Sequence, residues 1–550
     1  MKMHFLALGA LLASTAASAD TLINNVNGIQ SDANGNVEHF TGILIGNDGK
    51  VKRLLHGEML KLRETDVVDG RGQTVMPGLI DAHGHFMELG YAALQLDLTS
   101  TSSLADLQQR LKAYAAANPQ ARWIVGRGWN QELWPVKNFP TSADLDAVVS
   151  DRPVVLRRID GHALVANSAG MRAAGVSAST PAPAGGRTEN GLFVDNAMDL
   201  IDPKIPKATD AEADAAAAKA QEIMLGFGLT ATGDMGTEPA GWAAMNRAGE
   251  AGRLNVRIMS YSFGLDTLKA IGLSAPTDWK YGDHLQMGGV KFYADGALGS
   301  RGAWLKRPYS DKPDTHGLQF HIDAEMRDIT GKAAAMGFQI ATHAIGDAAN
   351  AQVISTYEGL SQQYGAGHRW RIEHAQVVDP ADIPRIAKAG IIASMQPTHQ
   401  TSDRLMAEKR LGPDRLGGAY AWTTILNSGA KLAFGSDFPV ESPNPFPGIS
   451  AAISRQDLNG QPPGGWRPQE RVSLGRAIYG FSRGAAYAGF AEDRIGSLDA
   501  GKWADFIFVD RDPTKVDPQS LGHTQVLETW VAGKKVWAKT LKSGGGEHGR

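Results

Sequence analysis

Short apolar runs bounded by turn residues recur along the chain, and their spacing predicts the fold. Between about residues 75 and 488, eight strand-like runs alternate with helical patterns: VMPGLID, LTATGDM, VRIMSYS, GGVKFYA, FQIATHA, WRIEHAQ, IIASMQP and KLAFGSD. Near-continuous apolar strands separated by helices are what a parallel sheet buried on both faces requires. Eight is the number that closes a (β/α)8 TIM barrel, a fold that tolerates long insertions. Periodicity alone fits an open doubly wound sheet as well. The gap between the first two runs is the long one, so an insertion subdomain is expected over about residues 95–220. It opens with an amphipathic helix capped by Ser103, with Leu104, Leu107, Leu111 and Tyr114 on one face. It continues through the strand PVVLRRID and the loop STPAPAGGRTENG to the Ala-rich helix AEADAAAAKAQEIML.

The flanks of the barrel carry a different pattern. Residues 20–74 and 489–540 read as short strands with tight turns. GILIGNDGKVKRLL is a hairpin turning at Asn47-Asp48-Gly49, and VLETWVAGKKVWA turns at Ala532-Gly533 after the strand DFIFVD. Chain ends tend to lie close together, so the two segments are expected to form one composite β-sandwich. The last residues, 541–550, have the composition of a disordered tail.

The chain begins MKMHFLALGALLASTAASAD. Lys2, the apolar stretch Phe5 to Ala13 and the small residues Ala17-Ser18-Ala19 form a secretory signal peptide over residues 1–19, cleaved between Ala19 and Asp20. The predicted location is therefore periplasmic or secreted. The apolar stretch is too short to span a bilayer, so no membrane association is expected after cleavage. A net charge of −3 without a basic cluster excludes a nucleic-acid surface. There is no cysteine, so any metal must be held by nitrogen and oxygen ligands. The expected partner is a small-molecule substrate, with a homo-oligomer left open.

The chemistry starts at Asp81-Ala82-His83-Gly84-His85. Residues i and i+2 of a strand share a face, so His83 and His85 are expected side by side. A hydrogen-bonded histidine pair in a turn would be the plain explanation, and metal ligation needs more ligands. In a barrel, chemistry gathers where strands end at the C-terminal face. Those positions hold His83 and His85 on run one, Lys291 on run four, His343 on run five, His374 on run six and Asp437 on run eight. Singly, Asp437 could cap a turn and His343 could be a core histidine. Together they favour a divalent metal such as Zn2+. Such an ion acidifies bound water to near neutrality, giving hydroxide, and Asp437 is the expected catalytic acid/base. Arg127, Trp129 and His162 in the insertion, Asp295 and Arg301 after run four, and His399 after run seven are candidate substrate contacts. The alternative for His162 is a structural loop histidine, and Asp295 and Arg301 could anchor their loop.

Several of these stretches resemble a known family. PGLIDAHGH, GSDFPV and RIGSLDAGKWADFIFVD are similar to the first-strand metal motif, the eighth-strand aspartate motif and the barrel exit of the amidohydrolase superfamily. GVKFYADGALGSR, THAIGD and RIEHAQ resemble its amidohydrolase-3 branch, which includes N-substituted formamide deformylases. The resemblance implies metal-dependent hydrolysis of C–N bonds other than peptide bonds, of amide or formamide type, with one or two ions per chain. It also implies that His83, His85 and Asp437 hold one ion and His343 and His374 the other, bridged by a carbamate on Lys291. An ion pair of Lys291 with Asp295 or Asp437 is the alternative. The same site could hydrolyse an ester, lactone or carbamate, and a non-catalytic exported metal- or solute-binding protein is the rival outside enzymes.

Overall fold

All eight apolar runs contribute strands to one parallel sheet. In the computed structural model they are Leu79–Gly84 (β1), Leu229–Thr237 (β2), Arg257–Phe263 (β3), Leu285–Tyr293 (β4), Gln339–Ala344 (β5), Arg371–His374 (β6), Ile392–Met395 (β7) and Lys431–Phe434 (β8). Each pairs in parallel with its neighbour in sequence. The structure describes residues 19–58, 65–159, 163–183 and 186–540. The signal segment up to residue 18, His162 and the tail 541–550 lie outside the described residues.

The sheet closes where β8 returns to β1. The amide of Asp437 donates to the His83 carbonyl at 2.7 Å, and that of His85 to the Phe438 carbonyl at 2.8 Å. Between them the buried Asp81 carboxylate accepts the Ser436 amide at 3.0 Å and its hydroxyl at 2.7 Å. This is the (β/α)8 barrel rather than the open sheet. Its interior is packed by small and branched residues such as Ile80, Ala231, Ala341 and Ile392. The helix Arg483–Ala488 and the residues after it plug the N-terminal end, where the Gln339 amide donates to the Ala488 carbonyl at 2.9 Å. The C-terminal end is left for chemistry.

The first run proves to be two strands. Thr74–Pro77 pairs antiparallel with Phe506–Val509, and the chain crosses at Gly78 into β1. The two chain ends thus share a six-stranded sheet, beside a four-stranded sheet built from residues 20–69. Both predicted hairpins form, Gly42–Ile45 with Val51–Leu55 and Val526–Val531 with Lys534–Ala538.

Between β1 and β2 lies a separate six-stranded sheet running from Leu96–Asp97 to Leu192–Asp195. The helix Leu104–Ala117, whose Ser103 cap accepts the Asp106 amide, buries Leu107 and Leu111 against Ile124 and Leu156 of that sheet. The Ala-rich helix Asp210–Gly226, read from the sequence as part of the insertion, packs instead on the barrel helix Phe86–Leu94. The contact is close. A Cβ on Gly90 would lie 2.0 Å from the Ala216 carbonyl oxygen, so the two helices require glycine there.

The sandwich is tied to the barrel by a buried ion pair. Arg257 at the start of β3 donates to both oxygens of Asp505, at 2.7 and 3.0 Å, and Asp505 also accepts the Ala532 amide at 2.8 Å. Both side chains are buried. Asp505→Ala leaves a buried guanidinium without its partner, an effect of about 3–5 kcal/mol. Thermal denaturation should show a drop of several degrees; an unchanged midpoint would mean the pair does not hold the sandwich to the barrel.

Candidate metal centre

A bulge positions the first histidine. Asp81 lies opposite Thr232 and Gly84 opposite Asp234, so β1 spends one more residue than β2 over this stretch. Bulges of this kind re-aim side chains at barrel rims. His83 is fully buried, and His85 follows just beyond the strand, on the turn into the helix Phe86–Leu94. Asp234 accepts the Phe86 amide at 2.8 Å and fixes that turn.

Two of the imidazoles have their tautomers set by an acceptor behind them. His83 Nδ1 lies 2.6 Å from Glu373 Oε2, and His374 Nδ1 lies 2.8 Å from Gln396 Oε1. An Nδ1–H donated backwards leaves the Nε2 lone pair facing the site, the arrangement used by metal-ligating histidines. Glu373 is itself gripped by Arg371, at 2.7 Å on Oε1 and 3.1 Å on Oε2. Arg371 reaches on to the Ala82 carbonyl at 2.7 Å, tying this brace to β1.

The other candidates gather around these two. Asp437 Oδ1 is 3.4 Å from His83 Nε2 and 3.0 Å from His85 Nε2. The His374 ring centroid is 4.7 Å from that of His83 and 4.6 Å from that of His343. His374 and Asp437 both have left-handed backbones, with φ of 75° and 61°. Such conformations are costly for residues other than glycine and cluster at functional sites. Lys291 is buried, with Nζ 4.4 Å from the Tyr293 ring centroid; among the described residues no carboxylate lies within 4.0 Å of it.

These residues fit a divalent cation. His83 Nε2 is a buried polar atom without a hydrogen-bond partner, a state that is expensive unless something else binds it, and Asp437 Oδ1, 3.0 Å from His85 Nε2, makes no aligned hydrogen bond either. His83, His374 and Asp437 can each offer a ligand atom within 4.8 Å of the other two. Imidazole nitrogen and carboxylate oxygen are the donor types that zinc and its neighbours accept.

Charge is polarised across the site. Burial and the nearby Lys291 cation lower His83 to about 4, and burial with the neighbouring His343 holds His374 well below the usual imidazole range. Burial opposes ionisation of Asp437, but His83, His85 and His374 outweigh it and hold the carboxyl well below its ordinary value. Burial likewise opposes ionisation of Glu373, yet Arg371 and His83 bring it to about 2. The sign for stability follows. A histidine with a folded value near 4 against 6.5 unfolded binds fewer protons folded than unfolded between those values. Taken alone, His83 in metal-free protein costs stability as pH falls from about 6.5 to about 4, by roughly 3 kcal/mol for a shift of this size. Burial raises the Asp81 carboxyl to about 7, which favours the folded state over the same range and offsets that loss. The histidine's part is read by difference: chelator-treated His83→Gln should lose less stability, or gain more, than the native chain as pH falls from about 6.5 to about 4, and identical pH dependence of the two melting midpoints would contradict the buried neutral imidazole.

The barrel mouth holds a cavity of about 390 Å3 lined by His83, His85, Lys291, His343, His374 and Asp437. Of the predicted substrate contacts, His399 lines it. Gln376 donates to His399 Nδ1 at 3.2 Å, which puts the ring proton on Nε2, 3.8 Å from Asp437 Oδ2. Among the described residues, none of the others lines it. Trp129 is buried in the insertion core with its indole N–H on the Leu156 carbonyl at 2.8 Å, and Arg127 on the same strand does not line the cavity. Asp295 accepts the amides of Trp304, Ile345 and Gly346 at 2.8, 3.0 and 2.8 Å, which makes it a loop brace, and its Oδ1 also lies 3.4 Å from His343 Nε2. Arg301 pairs with Asp311 at 2.9 Å. His162 falls outside the described residues. Sequence reasoning missed Glu373 and Arg371, although two charged residues at i and i+2 in a short buried strand signal an inward-facing pair. It also missed Asp403, Met406 and Glu441, which line the cavity from a helix and a loop.

Comparison with known proteins gives this geometry a family. The profile of the amidohydrolase family Amidohydro_3 matches residues 66–537. YtcJ of Bacillus subtilis (strain 168), whose name assigns it to the amidohydrolases, is 33% identical over 90% of this chain and 95% of its own. The N-substituted formamide deformylase of Arthrobacter pascens is 26% identical over 87% of this chain and 91% of its own. The crystal structure of an uncharacterized metal-dependent hydrolase from Pyrococcus horikoshii OT3 superposes with a TM-score of 0.79 at 28% identity, covering 92% of this chain and 99% of that one. The profile match over most of the chain and the near full-length likeness to YtcJ lead to one conclusion: this chain belongs to the amidohydrolase-3 branch of the amidohydrolase superfamily, a family of metal-dependent hydrolases.

Proposed function

We propose that the protein is an exported hydrolase that cleaves a C–N bond of amide or formamide type. The observation that carries this is the buried cluster of His83, His374 and Asp437 at the barrel rim, each able to offer a ligand atom within 4.8 Å of the other two, with His83 Nε2 unpartnered. His83, His85 and Asp437 would hold one divalent ion, Zn2+ by donor type, and His343 and His374 a second. Lys291, as a carbamate, would bridge the two. Such an ion supplies Lewis-acid polarisation of the scissile carbonyl and acidifies a water molecule.

The chain's own residues do the rest. Glu373 and Gln396 hold His83 and His374 in the tautomers that present Nε2. Asp437, ionised at neutral pH, accepts a proton from the attacking water as the new C–O bond forms. It returns that proton to the departing nitrogen as the C–N bond breaks, so the amide becomes a carboxylic acid and an amine. The His399 Nε2–H faces the same carboxylate and can hold the substrate carbonyl or the leaving group. The formamide deformylase among the relatives supports a C–N bond over an ester. Purified protein loaded with zinc and screened on formamides, N-acyl amines, cyclic amides and esters should hydrolyse an amide-type substrate and lose that activity with chelator. Ester hydrolysis without amide hydrolysis, or activity indifferent to chelator, would overturn the reading.

A further inference from the structure

The wall of the cavity beyond the metal-binding residues is apolar and acidic. Tyr293, Leu298, Met406 and Val440 supply apolar surface, and Asp403 and Glu441 are its further charged groups. The apolar surface continues outward. Phe263, 47% exposed at the end of β3, has its ring 5.6 Å from that of Tyr293, which in turn is 5.2 Å from His343. Val440, which lines the cavity, is 67% exposed. Exposed apolar groups gathered at a pocket mouth mark a binding surface.

The neighbouring guanidinium groups are turned away. Arg404, on the same helix as Asp403, donates to Asp457 at 2.9 Å, and Arg301 and Arg410 both pair with Asp311. Among the described residues that line the cavity, Lys291 is the sole lysine or arginine, and it belongs to the metal centre. A carboxylate on the substrate would therefore face Asp403 and Glu441 without a counter-ion. An uncharged aromatic or alkyl group would instead bury against Tyr293, Met406 and Val440.

Resting on the amide-hydrolase reading, we infer that the site selects amides whose non-reacting part is apolar, of aromatic size, and free of negative charge. N-acyl amino acids are thereby disfavoured relative to N-acyl amines.

A matched pair tests this on the zinc-loaded full-length protein: N-formyl-2-phenylethylamine and N-formylphenylalanine, which differ by one carboxylate. Equilibrium binding and kcat/KM are both measured. The neutral amide should bind, and be hydrolysed, at least about tenfold better, the size of a nearby like-charge repulsion. Glu441→Gln should narrow that ratio about threefold or more by improving the acid. Equal or better binding of the acid, binding of neither compound, or a ratio unmoved by Glu441→Gln would overturn the inference. Selective binding of the neutral amide without hydrolysis would leave the inference standing and count against the hydrolase reading.

Discussion

Asp437→Asn is expected to lower turnover by two or more orders of magnitude while the protein still binds metal. The substitution keeps the side-chain size and one potential oxygen ligand but removes the proton acceptor. General acid–base catalysis contributes roughly 10²–10⁴-fold. The position suits the variant structurally, because φ is 61° there and asparagine tolerates the left-handed region well. The amide that closes the barrel on the His83 carbonyl is retained. Metal analysis and turnover on the same preparation check the prediction. Near-native turnover would assign the proton transfer to another group, with His399, 3.8 Å away, the first to examine.

Lys291→Ala should remove most of the activity and one bound ion. A buried lysine normally needs a counter-charge. The ion pair with Asp295 or Asp437 considered from the sequence does not account for Lys291. Asp295 is taken up by three backbone amides, and among the described residues no carboxylate lies within 4.0 Å of Nζ. Nζ lies instead over the Tyr293 ring, in the cavity with His343 and His374. The amine of a lysine is a nucleophile once it has given up its proton. Its reaction with carbon dioxide forms an N–C bond with loss of a proton and gives an anionic oxygen ligand. Intact-protein mass should carry the added carbon dioxide, and short carboxylic acids with metal should partly restore Lys291→Ala. Full activity in the variant, or a bare amine in metal-loaded active protein, would leave a mononuclear site.

Much of the fold was legible because apolar runs in a parallel barrel are buried on both faces and stand out whatever lies between them. All eight became strands, and the rim positions His83, Lys291, His343, His374 and Asp437 followed from where each run ended. Where elements pack was not legible. The helix Asp210–Gly226 reads the same whether it covers the barrel or the insertion, and its packing in the barrel core, with the close approach at Gly90, decides it. The division of the first run at Gly78 is a matter of which strand each half pairs with. Loop residues were the weakest. Asp295 and Arg301 carry charge near the site in sequence, yet their charges are taken up by backbone amides and by Asp311. Glu373 was hidden for the opposite reason, since it lies beside the histidine that drew attention and acts on another, 290 residues away.

Hydrolysis at this rim requires a metal ion there, and anomalous diffraction at the zinc edge from zinc-loaded crystals tests that most directly. The expected result is anomalous density at the rim within reach of His83, His85 and Asp437 and of His343 and His374, with Glu373 and Gln396 still bonded behind His83 and His374. A rim without a peak in protein that hydrolyses amides, or zinc bound only elsewhere on the chain, would contradict it.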